Sequence, residues 1–452
     1  MDDAKVVSAV KEGGKLLVDE HEWNAVPLAE RRPRSSVILI WLGFPMVISA
    51  ASLGATLTLS MGFKAAAAGI LLGNLFLLFY VGFLSRLGQK SGFNFALLSR
   101  TTFGSRGVAI VSGFLATCVI GWFTVQSALV AVNVNAAFGW NLALWAAITG
   151  LLFMGVALVG IRGLTWIGAA SAPLFVIFGG YAVIDSLMQA DSLSAVWNYS
   201  RDPTVATTAM GLAVTLVAAF FIDSGTLTAD FTRWAKTPLD GWLASGAGFP
   251  IGCGFAMLVG ATVAAAAPTQ PDLFPWLAGK GGWVAVVVTI FMFINLGSVC
   301  SHCLYNAATG WAALLHVKYR YFALAFGIVG TGIAMTNAWS HFLTWLIFLG
   351  IIVPPIGAVI LADHMLPWSR HKGHDPFDIE RVAGLRLAPF IAWACGSAVA
   401  LWVNYNAPEW STVITGFVVS FVAYAIIGKY DALDVLSKAK TTSSVEASGS
   451  SS

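Results

Sequence analysis

The sequence predicts an all-α membrane protein with twelve transmembrane helices, and three observations carry that prediction. Of its 452 residues 58% are hydrophobic and 10% charged, with a mean hydropathy of +0.78. Apolar runs recur to the end of the chain, and Lys and Arg alternate between the two ends of those runs. An ordinary soluble domain carries about 25% charged residues. No aqueous fold hides this much apolar surface.

The runs set the elements. Ile70 to Leu84, Leu142 to Val159, Gly211 to Ile222, Trp283 to Ile294 and Thr344 to Leu361 sit inside apolar stretches of roughly 17 to 25 residues, enough to cross a hydrocarbon core about 30 Å thick. They place helices near 35–62, 66–88, 107–138, 142–160, 163–188, 206–233, 241–266, 282–314, 321–338, 340–364, 387–404 and 411–428.

The basic residues test that count independently. With both termini on the cytoplasmic side, that side holds Arg31, Arg32 and Arg34, then Arg86, Lys90, Arg100 and Arg106, then Arg162, then Arg233 and Lys236, then Lys318 and Arg320, and finally Arg370, Lys372, Arg381 and Arg386. Only Lys64, Arg201 and Lys280 fall outside it. Removing any one helix scrambles the alternation. The expectation is therefore a bacterial inner-membrane protein with both termini cytoplasmic.

Residues 1–34 read as a cytoplasmic tail, because no short apolar core with a cleavage site is present. Residues 35–430 form one membrane domain, and 431–452 read as a disordered, Ser-rich cytoplasmic tail. The net charge of +3 is small and gives no reason to expect nucleic acid. Cys118, Cys253, Cys300, Cys303 and Cys395 all fall in apolar segments, an odd number that argues against a disulfide framework.

Two of the helices are interrupted where a span should run on. The first carries Gly43-Phe44-Pro45 and then a string of small residues from Ser49 to Thr56. Proline removes a backbone donor and crowds the preceding turn, so backbone groups come free at membrane depth. The sixth carries Asp223-Ser224-Gly225-Thr226 in mid-span, five helices later. Corresponding breaks in two halves of a chain point to an inverted repeat with a binding site at the bilayer midplane. Pro354-Pro355-Ile356-Gly357 in the tenth helix reads as a bend.

Asp223 is the most informative single residue. A carboxylate near the bilayer centre costs at least about 2.5 kcal/mol, so it needs a partner or a proton. Three readings stand: contact with a donor-rich or cationic ligand, carriage of a coupling proton, or a cap on the half-helix that starts near Ser224. Asp230, on the same face and three residues before Arg233, has the spacing for a local ion pair. Most of the 18 tryptophans belong to interfacial belts, but Trp122 lies in mid-helix. With Phe220 and Phe221 it can sandwich a flat heterocycle or simply pack.

On the eighth helix Asn295, Ser298 and His302 share one stripe. Asn and Ser oxygens suit a small cation, completed by freed carbonyls near Gly43 and Met46, or they hydrogen-bond between helices. His302 is a core histidine or a proton relay. Cys300-Ser301-His302-Cys303 has no second ligand pair at zinc spacing, so no metal cofactor is expected. No P-loop, GxSxG or HExxH motif occurs, which leaves ATP-driven transport and hydrolysis without support.

Along roughly residues 30 to 430 the chain resembles the nucleobase-cation symporter family, cytosine permease branch. The segment from Ser224 to Arg233, SGTLTADFTR, is the most specific match. Gly121-Trp122-Phe123, Arg100 to Gly104, and Trp345-Leu346-Ile347-Phe348-Leu349 through Pro354-Pro355-Ile356-Gly357 to Ala362-Asp363 support it. The resemblance implies a LeuT-type core of two inverted five-helix repeats, residues 35–188 and 206–364, with peripheral helices over 387–428. It implies a monomeric symporter that imports a small planar ligand, driven by Na+ or H+, with no other cofactor.

Position by position, Trp122 and Phe221 resemble the aromatic pair around the base. Phe220, Asp223, Ser224 and Cys300 stand at its edge-contact positions, with backbone at Val47 and Ile48. Gly43, Met46, Asn295 and Ser298 resemble the sodium site, and Asp223 and His302 are the candidates for proton coupling. Three departures bear on the ligand. Val119 replaces a family Gln, Asp223 a family Ser, and Cys300 a family Asn. An acceptor-only carboxylate suits a ligand presenting paired N–H groups rather than cytosine itself. Val299 removes a hydroxyl from the sodium site. The alternative from another class is a membrane receptor or transceptor, which the short tails disfavour.

Overall fold

The computed structural model describes residues 19–336, 338–366, 375–380 and 382–429. The expected tail at 431–452, the first eighteen residues, and Arg370, Lys372 and Arg381 lie outside them. The described chain is helical. The first expected span is two pieces, α1 (Arg34–Gly43) and α2 (Ile48–Met61), bent by 49° where Pro45 interrupts the ladder. Then come α3 (Phe63–Ser91), α4 (Phe95–Phe103), α5 (Gly107–Phe138), α6 (Leu142–Leu158) and α7 (Ile161–Gln189), followed by the short α8 (Leu193–Trp197).

The sixth expected span is three pieces: α9 (Met210–Ala219), α10 (Ile222–Thr226) and α11 (Ala229–Thr232). After it, α12 (Pro238–Ala266) contains a π-helical stretch, Ala247–Cys253, around Pro250. A short α13 (Leu273–Ala278) precedes α14 (Gly282–Leu315), α15 (Tyr319–Ala334), α16 (Phe342–Met365), α17 (Leu387–Asn406) and α18 (Thr412–Lys429). Pro354 and Pro355 sit inside α16 without ending it.

Eight of the described helices are long and apolar enough to cross a bilayer, and α1 with α2 makes nine. The 17 residues of α6 reach about 26 Å, short of a 30 Å core. The expected sixth span holds no single helix of that length. The outer surface is that of a membrane protein, with Trp140, Trp166, Trp197, Trp283, Trp402 and Trp410 all exposed.

Small residues let the central helices touch. A Cβ at Gly54 would run into the Met257 backbone, and one at Gly260 into the Ala51 backbone, so α2 and α12 meet main chain to main chain. The long α14 packs against α5, α6, α7 and α15, while α3 packs against α9, α11 and α12. At the end of α16, Asp363 pairs with Arg386 at 3.2 Å and accepts the Tyr424 hydroxyl at 2.5 Å, which ties α17 and α18 to the bundle. All five cysteines are free thiols, and Cys395 faces outward rather than into the core.

Candidate functional site

The two breaks lie side by side across α14 and α5, and they are built differently. At the first, Asn295 on α14 reaches both strands of the opened turn: its Nδ2 donates to Met46 O at 2.8 Å and its Oδ1 accepts from Ile48 N at 2.8 Å. The same Nδ2 donates to Ser171 Oγ on α7 at 2.9 Å. Ser298 Oγ donates to Gly43 O at 3.0 Å, and Val47 N to Pro45 O at 3.0 Å. Gly43, Met46, Asn295 and Ser298 are thus brought together as the sequence pattern implied, but both arms of the Asn295 amide are spent on protein. Val299 brings no oxygen. The N–H groups of Val47 and Ile48 are likewise engaged.

At the second break the chain unwinds at Phe220 and Phe221, with Phe221 at φ −134° and ψ 16°. Asp223 follows in the first turn of α10, fully buried. Its Oδ1 accepts from the N–H of the next residue, Ser224, at 2.7 Å, whereas the residue at the cap of α10 is Phe221, which makes no side-chain cap. That local bond uses one oxygen only. Asp223 Oδ2 is buried without a partner. The Trp122 indole N–H approaches the Asp223 carboxyl without reaching hydrogen-bonding geometry, and Trp122 Nε1 is also unpartnered.

Trp122 and Phe221 face each other almost in parallel, with centroids 6.2 Å apart and planes 4° from each other. A flat ring between them needs about 7 Å, two contacts of about 3.5 Å. The jaws therefore part by roughly 0.8 Å to admit one. Phe220 closes one side, 5.1 Å from Trp122 and 5.2 Å from Phe221. Phe342 of α16 sits edge-on to Trp122 at 5.3 Å and Trp345 at 6.4 Å. A Cβ at Gly121 would meet the Trp345 ring at 2.8 Å, which is why glycine adjoins the tryptophan. Trp122, Phe342 and Trp345, with Gly121, Val125, Leu346 and Leu349, line a narrow crevice too tight for a water molecule, and neither Phe220 nor Phe221 borders it.

Sequence reasoning missed Gln126, one helical turn after Trp122 on α5. Its Nε2 donates to Ser49 Oγ on α2 at 2.8 Å, while its Oε1 is buried and unpartnered. A lone amide four residues from the key tryptophan was the available signal. Trp345 stood in a family-like motif but with no site role, and Phe342 and Ser171 had no signal, because only packing brings them in. Asp223 Oδ2 and Trp122 Nε1 lie close to each other here, an acceptor and a donor, and Gln126 Oε1 is a further bare acceptor one helical turn along α5.

Other expected residues lie nearby with different partners. Ser224 Oγ faces Cys303 Sγ at 3.9 Å. Cys300 Sγ donates to Phe123 O at 3.7 Å and lies 3.6 Å from Ser127 Oγ. His302 Nδ1 donates to Ser298 O at 2.6 Å, and its ring stacks on Phe44 at 4.7 Å. No hydrogen bond joins His302 to Asp223. The expected Asp230–Arg233 ion pair does not form. Asp230 Oδ1 instead accepts from Phe95 N at 2.8 Å, and Arg233 donates to Tyr305 Oη at 3.2 Å and His21 O at 2.9 Å. Arg233 Nε reaches back to the Asp230 main-chain O at 3.2 Å and not to its carboxylate, which turns to the start of α4.

At the other end of α5 an open cleft of ≈ 430 Å³ lies between α5, α13 and the start of α14. Asp185 at the end of α7 pins α13 over it, pairing with Lys280 at 2.5 Å and accepting from Trp276 Nε1 at 3.0 Å.

Residues 26–428 match a family model described as permease for cytosine/purines, uracil, thiamine, allantoin. The cytosine permease of Escherichia coli (strain K12) is 28% identical over 386 residues, 85% of this chain and 89% of that protein. A purine-uracil permease NCS1 of Arabidopsis thaliana is 21% identical over 364 residues, 72% of this chain and 60% of that protein. Among solved structures, Mhp1, a nucleobase-cation-symport-1 family transporter in a closed conformation with bromovinylhydantoin bound, superposes with a TM-score of 0.77. That match has 18% identity and covers 93% of this chain and 97% of that one. A Na+-coupled sialic acid symporter superposes with a TM-score of 0.66 at 12% identity, covering 95% of each chain. At these identities the likeness is one of fold.

Proposed function

This chain belongs to the family of permeases for cytosine/purines, uracil, thiamine and allantoin, and we propose that it is a secondary active symporter importing a nucleobase or related small planar nitrogenous heterocycle by alternating access. It resides in the bacterial inner membrane as a twelve-span monomer with both termini cytoplasmic. Residues 35–188 and 206–364 are its inverted repeats, and residues 387–428 form two peripheral helices. The breaks at corresponding places in the two halves support that repeat.

One observation carries the reading: a nearly parallel aromatic pair whose indole N–H and a neighbouring buried carboxylate oxygen make no hydrogen bond in the protein, with a bare amide oxygen one helical turn from the indole. Leaving a buried polar group unpaired costs about 1–3 kcal/mol, and a ligand edge repays it. Two acceptors and one donor match a ring with neighbouring N–H groups and one acceptor, such as an amino-purine edge or a hydantoin-like imide and amide. The aromatic faces supply affinity for any planar ring; the edge atoms choose among them.

The coupling ion is Na+ or H+, and two places compete for it. Carbonyls at Gly43 and Met46, with Asn295 and Ser298, are the sodium candidates; Asp223 is the proton carrier, with His302 as a second candidate. The engaged amide of Asn295 and the partnerless oxygen of Asp223 favour the proton.

Uptake of radiolabelled nucleobases, hydantoins and amidines into proteoliposomes, under an imposed Na+ or H+ gradient, tests this. Accumulation of one such ring driven by one gradient is expected. Saturable binding with no accumulation under either gradient sinks the symporter reading in favour of a receptor.

A further inference from the structure

Residues 19–33, expected to be a tail, are laid across one end of the bundle and hydrogen-bonded to both of its halves. Toward the half that holds α3 and α9–α12, Val26 N donates to Gly92 O at 2.9 Å and Arg32 N to Trp234 O at 2.8 Å. Toward the half that holds α7, α14 and α15, Glu22 Oε1 accepts from Tyr319 N at 3.1 Å. Trp23 Nε1 donates to Ala312 O of α14 at 3.1 Å. Glu20 is bonded to two helices of this second half and reaches the first through Tyr305. Its Oε1 accepts from Ile161 N at 3.0 Å, its Oε2 accepts the Tyr305 hydroxyl at 2.7 Å, and Tyr305 Oη in turn accepts from Arg233 at 3.2 Å.

We propose that residues 19–33 are a strap holding the cytoplasmic gate of the transporter shut, and that Glu20 is the positioning residue that latches it. The inference rests on the transporter reading and orientation proposed above. On this proposal the two halves just named, which are helix groups and not the two repeats, part at this end during alternating access, and the strap is bonded to both. Arg233 and Tyr305 join the two groups directly, from the broken sixth span and from α14. Opening therefore either peels the strap from one half or breaks the Glu20–Tyr305–Arg233 chain.

The latch senses pH. Glu20 is 4% exposed, and burial pushes its carboxyl above the usual range against the pull of Tyr305, Arg233, the Ile161 N–H and Arg32. Other charged or titratable groups lie close to it: His21, the next residue, which pairs with Glu30 at 2.7 Å; Tyr319 of α15, itself flanked by Arg320 and the strap's Glu22; and Arg162 of α7, which acts on Arg32. A carboxyl whose value is higher when docked than when hydrated binds its proton more tightly in the docked state. Docking is therefore strongest at low pH and weakens as pH rises through the docked value.

Hydrogen exchange of the full-length protein in lipid nanodiscs, without ligand and corrected for intrinsic exchange from pH 5 to 8, tests this. Protection over 19–33 and over the last third of α14 is expected to fall as pH rises. Glu20→Ala should speed exchange in both segments by at least about tenfold, a latch of about 1.4 kcal/mol or more. Glu20→Gln, which mimics the neutral acid, should keep the protection and flatten its pH dependence. Tyr305→Phe should give a smaller loss in the same two segments, and decides the matter if Glu20→Ala does not fold. Wild-type protection in Glu20→Ala or Tyr305→Phe, or a wild-type pH slope in Glu20→Gln, overturns the proposal. The readout needs no transported ligand, so failed uptake would count against the symporter reading and leave this result standing.

Discussion

The two helix breaks differ in backbone and in chemistry, the first a 49° bend between two helices and the second a span in three pieces. Around the first, Met46 O, Ile48 N, Val47 N and Gly43 O all have protein partners, most of them on α14. Around the second, Asp223 Oδ2, Trp122 Nε1 and Gln126 Oε1 have none. A break in a dry interior is tolerated only when its polar groups are answered. The first is answered by the protein, which makes it a fixed hinge between α1 and α2. The second is left open to be answered by something that comes and goes.

The contrast predicts different failures, beginning with the largest. Asn295→Leu strands Met46 O and Ile48 N together, so it should cost about 2–5 kcal/mol of stability. A thermal-unfolding midpoint equal to wild type would remove Asn295 as the clamp of the first break. Asp223→Asn keeps the shape but replaces an acceptor by a donor. Uptake of the native ligand should drop by about tenfold to a hundredfold, or switch to another ring, equivalent to about 1.5–3 kcal/mol. If uptake and its pH profile stay unchanged, Asp223 serves only its local bond to Ser224 and the two breaks are alike in chemistry after all.

Trp122→Ala removes one jaw and should weaken ligand binding by about 1–3 kcal/mol while leaving the Asn295 clamp intact. Near-normal affinity in a calorimetric titration places the ligand elsewhere. Gln126→Leu deletes a single uncharged acceptor, for which about 0.5–1.5 kcal/mol is expected. Its signature is selective: ligands with a hydrogen-bond donor at the matching edge should lose affinity, and analogues lacking that donor should not. Equal losses for both would show that Gln126 only holds Ser49.

The long helices were legible because lipid imposes a length and a composition. The spans expected at 107–138 and 282–314 match Gly107–Phe138 and Gly282–Leu315 within one residue. Trp122, Phe221 and Asp223 were also legible, each being anomalous in its own stretch of sequence. Gln126 was harder to see, since an amide in an apolar helix commonly bonds to its own backbone. The strap was invisible for a different reason. Nothing in Glu20 or Trp23 distinguishes a docked segment from a free one until Tyr305, Ile161 and Ala312 are placed beside them.

By itself the sequence determined the membrane, the helices and the positions at which two of them break, because hydropathy, proline and a mid-span carboxylate act locally. Tertiary structure decided what each break does. Whether a freed carbonyl is clamped by Asn295 or a carboxylate oxygen is left bare beside Trp122 depends on which helix lies opposite. Contacts between residues some 250 positions apart are set by packing, which no local pattern encodes.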